Sequence, residues 1–392
     1  MLVKDELNMV LENIVAGLNE ELGVAFDAQF GVDEENWKTI DLLDTIRRVV
    51  AQAASRFTVG LPLCRNEQYL NDCFDAIDGC IITAGVIGGT PIVLRPLLGP
   101  LVGLKARLAN RRLRKHFEPL YRERLATLQY ARDDPSHVEP QDHLQMMLRF
   151  AQRERPHELY DLKNIATRLT TANFGSMHQT SIQVTNMLLN IMGSDAEYNT
   201  IAVLRDEVAH ILGVDTQWTK AKVSKMTKAD SVARETLRCH SFGGRAGFRR
   251  VMVDGVRTDA GLELPKGTLF SFMSQGAHVD EESYADPLKY DPFRFSRSRE
   301  AATDASKTGS QSFVSTGPSY LGFGHGKHAC PGRFLIDFEL KMIIAYVLTR
   351  YDVKFPEEYG NRRPANRWMT EAVVPPEGVK VLVKRRRTEL PI

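Results

Sequence analysis

The stretch FGHGKHACPGRF, Phe323 to Phe334, places one cysteine among three glycines, two histidines and a proline, directly before an apolar run with helical spacing. A cysteine sulfur is a good ligand only as thiolate. Glycines in the loop let backbone N–H groups turn toward the sulfur. A helix beginning just after Cys330 offers the positive end of its macrodipole to an anion, and Pro331 suits a first helical turn, where its missing N–H is not needed. A second set lies upstream. Glu235 and Arg238 in ETLR are spaced i, i+3 and share one side of a helix. Buried, such a pair holds only if fully hydrogen-bonded, and it then fixes geometry more than it adds stability.

The five cysteines, Cys64, Cys73, Cys80, Cys239 and Cys330, are odd in number and form no C-x-x-C pair. A disulfide framework and a structural zinc are therefore disfavoured, and a reducing compartment fits. A single open thiolate suits a haem iron, whose four equatorial positions belong to the porphyrin. For Cys330 alone the competing reading is a buried, inert cysteine. For ETLR alone it is a solvated ion pair.

Together the motifs settle the comparison. Phe323, Gly326, Cys330 and Gly332 form F-x-x-G-x-x-x-C-x-G, which resembles the haem-binding loop of the cytochrome P-450 family. ETLR resembles the family's E-x-x-R, and DPFRF the P-x-R-F motif that follows it. The resemblance implies haem b held through Cys330 as axial iron ligand, with Phe323 and Gly326 in its loop and Glu235, Arg238 and Arg294 as the supporting core. It gives His328 to one haem propionate and Arg245 to the other, with Arg249 and Arg250 as competitors for the second role.

On the oxygen side GSMHQT is the best match to the family's central-helix motif. Gly175 and Ser176 then leave room for oxygen and substrate, and His178 stands in the acid position. Gln179 stands where threonine is usual, with Thr180 and Ser181 as nearby alcohols. Histidine relays protons near neutral pH; glutamine only holds a water by hydrogen bonds. Ser241, Phe242 and Gly243 resemble a substrate-contact segment. A histidine in the acid position resembles filamentous-fungal members, including terpenoid oxidisers.

The implied function is a haem-thiolate monooxygenase acting on a lipophilic small molecule, a terpenoid or indole-terpenoid secondary metabolite. Its electrons come from NADPH through a cytochrome P-450 reductase, at the cytoplasmic face of the endoplasmic reticulum. Lys327, Arg333 and Lys341 are read as basic residues facing that partner. Two alternatives are an isomerase or peroxide-using enzyme on the same fold, favoured by Gln179, and an inactive haem-free fragment. The last is favoured because the W-x-x-x-R helix, first sheet and membrane anchor of the family are not recognised, so the chain reads as N-terminally truncated.

The elements that position these residues follow from texture. The chain has 392 residues, 43% hydrophobic, with a formal charge of +2, which gives no reason to expect a nucleic-acid partner. Leu7, Val10, Leu11, Ile14 and Leu18, then Ile46, Val49, Val50, Ala53 and Phe57, recur at helical spacing. Helices are expected over about 162–192, over KADSVARETLRCH and over RFLIDFELKMIIAYVLTRY. RRVMVDGVRTDAGLELPKGTLFSF reads as hairpins and VKVLVKR as a strand, with 297–319 loosely structured. The fold class is mainly α with a small β-rich region, as one catalytic domain over 1–392.

Gly79 to Leu104 carries one charge, Arg95, but three prolines and six glycines interrupt it. It is read as a buried or loop-forming hairpin rather than a span. The alternative is a patch on a bilayer surface, continued by the basic run Lys105 to Lys115.

Overall fold

The computed structural model describes residues 7–130, 138–213, 217–302 and 311–387. They divide into two compact units: Met1–Asp33, Asp44–Ser181 and Trp218–Lys220 in the first, Glu34–Leu43, Ile182–Gln217 and Ala221–Ile392 in the second.

The first unit is helical. Its helices include Leu7–Phe30, Glu67–Gly89, Leu104–Thr127, His143–Glu154 and Leu162–Asn173, together with most of Leu42–Thr58. In Leu42–Thr58 the apolar stripe Ile46, Val49, Val50 and Ala53 is fully buried, as its spacing predicts. Asn66 caps the next helix, its side chain accepting from the Tyr69 N–H at 2.8 Å. Tyr69, Cys73, Leu113, Phe117, Leu148, Leu169 and Met177 share the core. Asn173 reaches into it and donates to Tyr69 Oη at 2.8 Å.

The hairpin expected over 79–104 is corrected. The chain runs as helix to Gly89, breaks at Thr90 and Pro91, turns at Ile92–Leu94 and resumes as Arg95–Val102. Each helical glycine costs about 1 kcal/mol against alanine, and packing overrides that cost at Gly79. A Cβ there would stand 2.9 Å from the Ala106 backbone nitrogen, so glycine lets the Leu104–Thr127 helix approach. Nor is the stretch buried: Ile92 is 76% and Val93 84% exposed.

The second unit packs the Thr200–Leu212, Thr227–Cys239 and Arg333–Arg350 helices against one another. Lys380–Arg385 is the centre of a three-stranded antiparallel sheet, flanked by Lys38–Asp41 and Tyr351–Lys354. Lys38–Asp41 is a strand that falls between the two runs of helical spacing, Leu7–Leu18 and Ile46–Phe57. It is four residues long and its partner comes near the other end of the chain, so no local periodicity marks it. The expected hairpins form as Ala246–Arg250 with Leu269–Phe272 and Val256–Arg257 with Glu263–Leu264; Arg367–Met369 pairs with Ala372–Val374. The result is the expected mainly α fold with small sheets. Of the segment expected to be loose, 297–300 closes the Arg294–Glu300 helix and 303–310 lies outside the described residues.

Candidate active site

The Cys330 loop is a set of nested turns. Gly324 and Gly326 sit at φ +69° and +68°, a region closed to most side chains. Gly324 N–H donates to Leu321 O at 2.8 Å, and Cys330 N–H donates back to Phe323 O at 2.8 Å, closing the loop. The Phe323 ring meets buried Phe313 edge-on at 5.0 Å. Gly332 then caps the Arg333–Arg350 helix, and Leu335 N–H and Ile336 N–H both donate to its carbonyl. Cys330 and His328 are exposed at the tip of this frame. Arg333 braces it from inside: Nε donates to Val314 O at 3.0 Å and Nη1 to Cys330 O at 2.7 Å.

Behind the loop stands the charge cluster. Glu235 and Arg238 are completely buried. Glu235 accepts from Arg238 Nε and Nη2, both at 2.7 Å, and from Arg294 Nε at 3.1 Å. It also accepts the Asp291 N–H at 3.1 Å, which satisfies the carboxylate from both sides. Arg238 spends Nη1 on the carbonyls of His278 and Pro287, at 2.6 and 2.7 Å. Burial alone would lower the Arg238 guanidinium; the Glu235 carboxylate outweighs it and holds the group above its ordinary value.

A second buried cluster joins the Thr227–Cys239 and Arg333–Arg350 helices. Lys341 Nζ lies 2.9 Å from Asp230 and 2.7 Å from Asp337. Asp230 also accepts from Arg299 Nη1 and from Phe313 N–H. This corrects the reading of Lys341 as a partner-facing residue. It is 3% exposed and paired with two carboxylates, as a buried lysine must be. Arg333 is half-buried and engaged with the loop, which leaves Lys327 exposed among the three.

Glu339 is a further buried acid, 4% exposed, with Oε1 lacking a partner. Burial pushes its carboxyl from 4.5 up to about 8. The native state thus binds this proton more tightly than the unfolded chain. The site costs nothing below about pH 4.5, and its cost grows as pH rises toward 8. Glu339→Gln is expected to match the wild type near pH 4.5. Above pH 8 it is expected to be more stable by on the order of 4 kcal/mol. Urea melts at the two pH values check this; an unchanged difference between them contradicts it.

The remaining residues fall as follows. Ser241 is buried and its hydroxyl donates to Gly243 O at 3.3 Å. Phe242 O accepts the Val373 N–H at 2.7 Å and Gly243 bridges to Ala372, so this segment is laced to the Arg367–Val374 hairpin. Arg245 is exposed and paired with Glu371 of that hairpin.

In the first unit, Phe174–His178 forms a π-helical turn where a continuous α-helix was expected. Such turns are often found at functional sites. Gly175 is exposed, Ser176, His178 and Gln179 are half-buried, and Thr180 is buried. Ser176 Oγ is spent locally on Ala172 O at 3.0 Å, and Ser181 Oγ on Met177 O at 2.6 Å. Burial, then the Arg47 guanidinium, lowers the His178 pKa, and the Asp78 carboxylate opposes them. Arg47 and Asp78 are themselves paired at 2.8 Å. The sequence reading missed both residues, since they lie on two helices far from His178 in the chain.

Among the described residues no group of three His, Cys, Asp or Glu side chains is placed to hold a metal ion. The donor set at the loop is one accessible thiol ahead of an 18-residue helix. That set fits a haem iron, which needs a single protein ligand.

The comparisons with known proteins agree. The model of the family described as Cytochrome P-450 matches residues 4–383. The chain is 54% identical to cytochrome P-450 monooxygenase pbrC of Penicillium brasilianum, covering 98% of this chain and 73% of that protein. It is 53% identical to astC of Aspergillus terreus and 45% identical to tenB of Beauveria bassiana, with the same coverage. The solved structure of retinoic acid-bound cyanobacterial CYP120A1 shares the fold at a TM-score of 0.71 and 19% identity, over 98% of this chain and 77% of that one. This chain belongs to the cytochrome P-450 family of monooxygenases.

Proposed function

We propose that the whole chain acts as one haem-thiolate catalytic domain that hydroxylates a lipophilic small molecule of fungal secondary metabolism, of the terpenoid or indole-terpenoid class. The observation that carries this reading is the Cys330 loop, exposed at its tip and braced from behind by Arg333 and the Glu235 cluster. In this reading Cys330 is the axial ligand and His328 and Arg245 hold the propionates. When bound, haem supplies the oxygen-activating iron. His178 passes protons on the oxygen side, with Gln179 holding a water and Thr180 as a neighbouring alcohol. Gly175, Ser176 and the Ser241–Gly243 segment leave space for substrate. Electrons come from NADPH through a cytochrome P-450 reductase that docks over Lys327. The test is NADPH-dependent oxidation of a terpenoid panel by the purified chain with reductase. Turnover with peroxide alone, and none with NADPH, would overturn the electron supply and favour the peroxide-using alternative.

Membrane contact belongs to the same proposal, at the cytoplasmic face of the endoplasmic reticulum. Among the described residues no helix is long and apolar enough to cross a membrane. Ile82, Val86, Ile92, Val93, Leu97 and Leu101 nevertheless lie exposed on one continuous stretch. The Leu104–Thr127 helix follows with Lys105, Arg107, Arg111 and Arg114. Exposed apolar surface beside basic residues suits an anionic bilayer surface. Burying a leucine or valine there is worth about 1.5–3 kcal/mol. Val93→Asp with Leu97→Asp is therefore expected to lower partitioning onto phosphatidylserine vesicles at least about tenfold. Equal partitioning of variant and wild type in vesicle sedimentation contradicts this contact.

A further inference from the structure

The Glu235 cluster and the Cys330 loop are linked through one residue that no motif marks. His278 ends the short Ser274–His278 helix and is completely buried. Its backbone carbonyl accepts from Arg238 Nη1 at 2.6 Å. Its ring Nε2 accepts the Leu321 N–H at 2.9 Å. Leu321 opens the loop, and its own carbonyl accepts from Gly324. One residue, through its backbone carbonyl on one side and its ring on the other, therefore spans the step from the buried ion pair to the turns that end at Cys330.

Because an amide N–H donates to Nε2, that nitrogen must carry a lone pair, and the proton sits on Nδ1. Nδ1 is buried without a partner. Keeping that donor unsatisfied is costly, so the ring is held for its acceptor and not for its donor. Burial first, then the Arg238 guanidinium, brings the imidazole down to about 4, which keeps the acceptor available at neutral pH. The Tyr320 ring lies against it at 5.6 Å and fixes its plane.

We propose that His278 is a positioning residue for the Cys330 loop: its carbonyl is anchored by Arg238 and its imidazole holds the Leu321 amide, so that the Glu235–Arg238 core sets where the thiol stands. For the haem-ligand consequence this rests on Cys330 being the axial ligand; for the loop itself it does not.

The test uses the purified full chain in three forms: wild type, His278→Phe, which fills the ring volume without an acceptor, and His278→Gln, whose side-chain oxygen reaches the Nε2 position. Hydrogen exchange across Leu321–Cys330 is read alongside the carbon monoxide spectrum of the reduced protein. In the wild type the Leu321 amide is expected to exchange more slowly than that of exposed Gly326. His278→Phe is expected to speed exchange across Leu321–Cys330 about tenfold and leave the Thr227–Cys239 helix unchanged. It should shift haem from the thiolate-type band to the shorter-wavelength band, and His278→Gln should restore both.

Wild-type exchange in His278→Phe, or equally faster exchange in every helix, overturns the proposal. If His278→Phe does not fold, fast Leu321 exchange in the wild type or in His278→Gln still overturns it. If the exchange pattern holds but the wild type shows no thiolate-type band, the positioning role stands and the ligand assignment of Cys330 falls.

Discussion

Cys330→Ala is expected to fold normally and to lose thiolate-type haem binding and NADPH-dependent product formation completely. The two halves of this expectation have separate causes. Cys330 is exposed and its side chain fills no core space, so the stability change should stay within about 0.5 kcal/mol. The loop itself is closed by the Cys330 backbone N–H on Phe323 O, which alanine keeps. What disappears is the one accessible sulfur ahead of the Arg333–Arg350 helix. Cys64, Cys73 and Cys239 cannot substitute, since burial first pushes each of these thiols up to about 12. Thermal melts should therefore overlay, while the reduced carbon monoxide spectrum loses its red-shifted band. A retained band in this variant would mean another ligand holds the iron.

Glu235→Ala carries the largest expected loss of stability. It removes the acceptor of Arg238 Nε and Nη2, of Arg294 Nε and of the Asp291 N–H, and leaves a fully buried guanidinium without its counter-charge. Breaking one side of a buried ion pair costs about 3–5 kcal/mol. Arg257→Ala is the control: its pair with Glu263 is exposed on both sides, at 67% and 61%, and such pairs are worth about 0–1 kcal/mol. Urea denaturation compares the two. Equal losses would show that burial of the Glu235 cluster does not decide its strength.

The parts of this molecule that were legible in its sequence are those written locally. The stripe Ile46, Val49, Val50 and Ala53 declares a helix face by spacing alone, and the structure buries it. Glu235 and Arg238 declare a shared face by i, i+3 spacing, and the structure joins them. Arg294 stands 59 residues from Glu235 and was placed beside it only through the motif it belongs to.

What was misread depended on partners remote in the chain. Lys341 looks like a surface lysine until Asp230, from a different helix, is packed against it. Gly79 looks like a helix breaker until Ala106 is brought within reach of it. The Phe174–His178 turn has no local signature, since a π turn differs from an α turn by one shifted hydrogen bond per residue. His278 was missed for the same reason. Its two functional contacts lie 40 and 43 residues away on either side, and no composition rule joins them.

The absorption spectrum of the purified chain, reduced and treated with carbon monoxide, bears most directly on the role of Cys330. A strongly red-shifted Soret band, absent in Cys330→Ala, is the predicted result and would place the Cys330 thiolate on a haem iron. A band only at the shorter wavelength of a non-thiolate haem, or no bound haem at all, would contradict it.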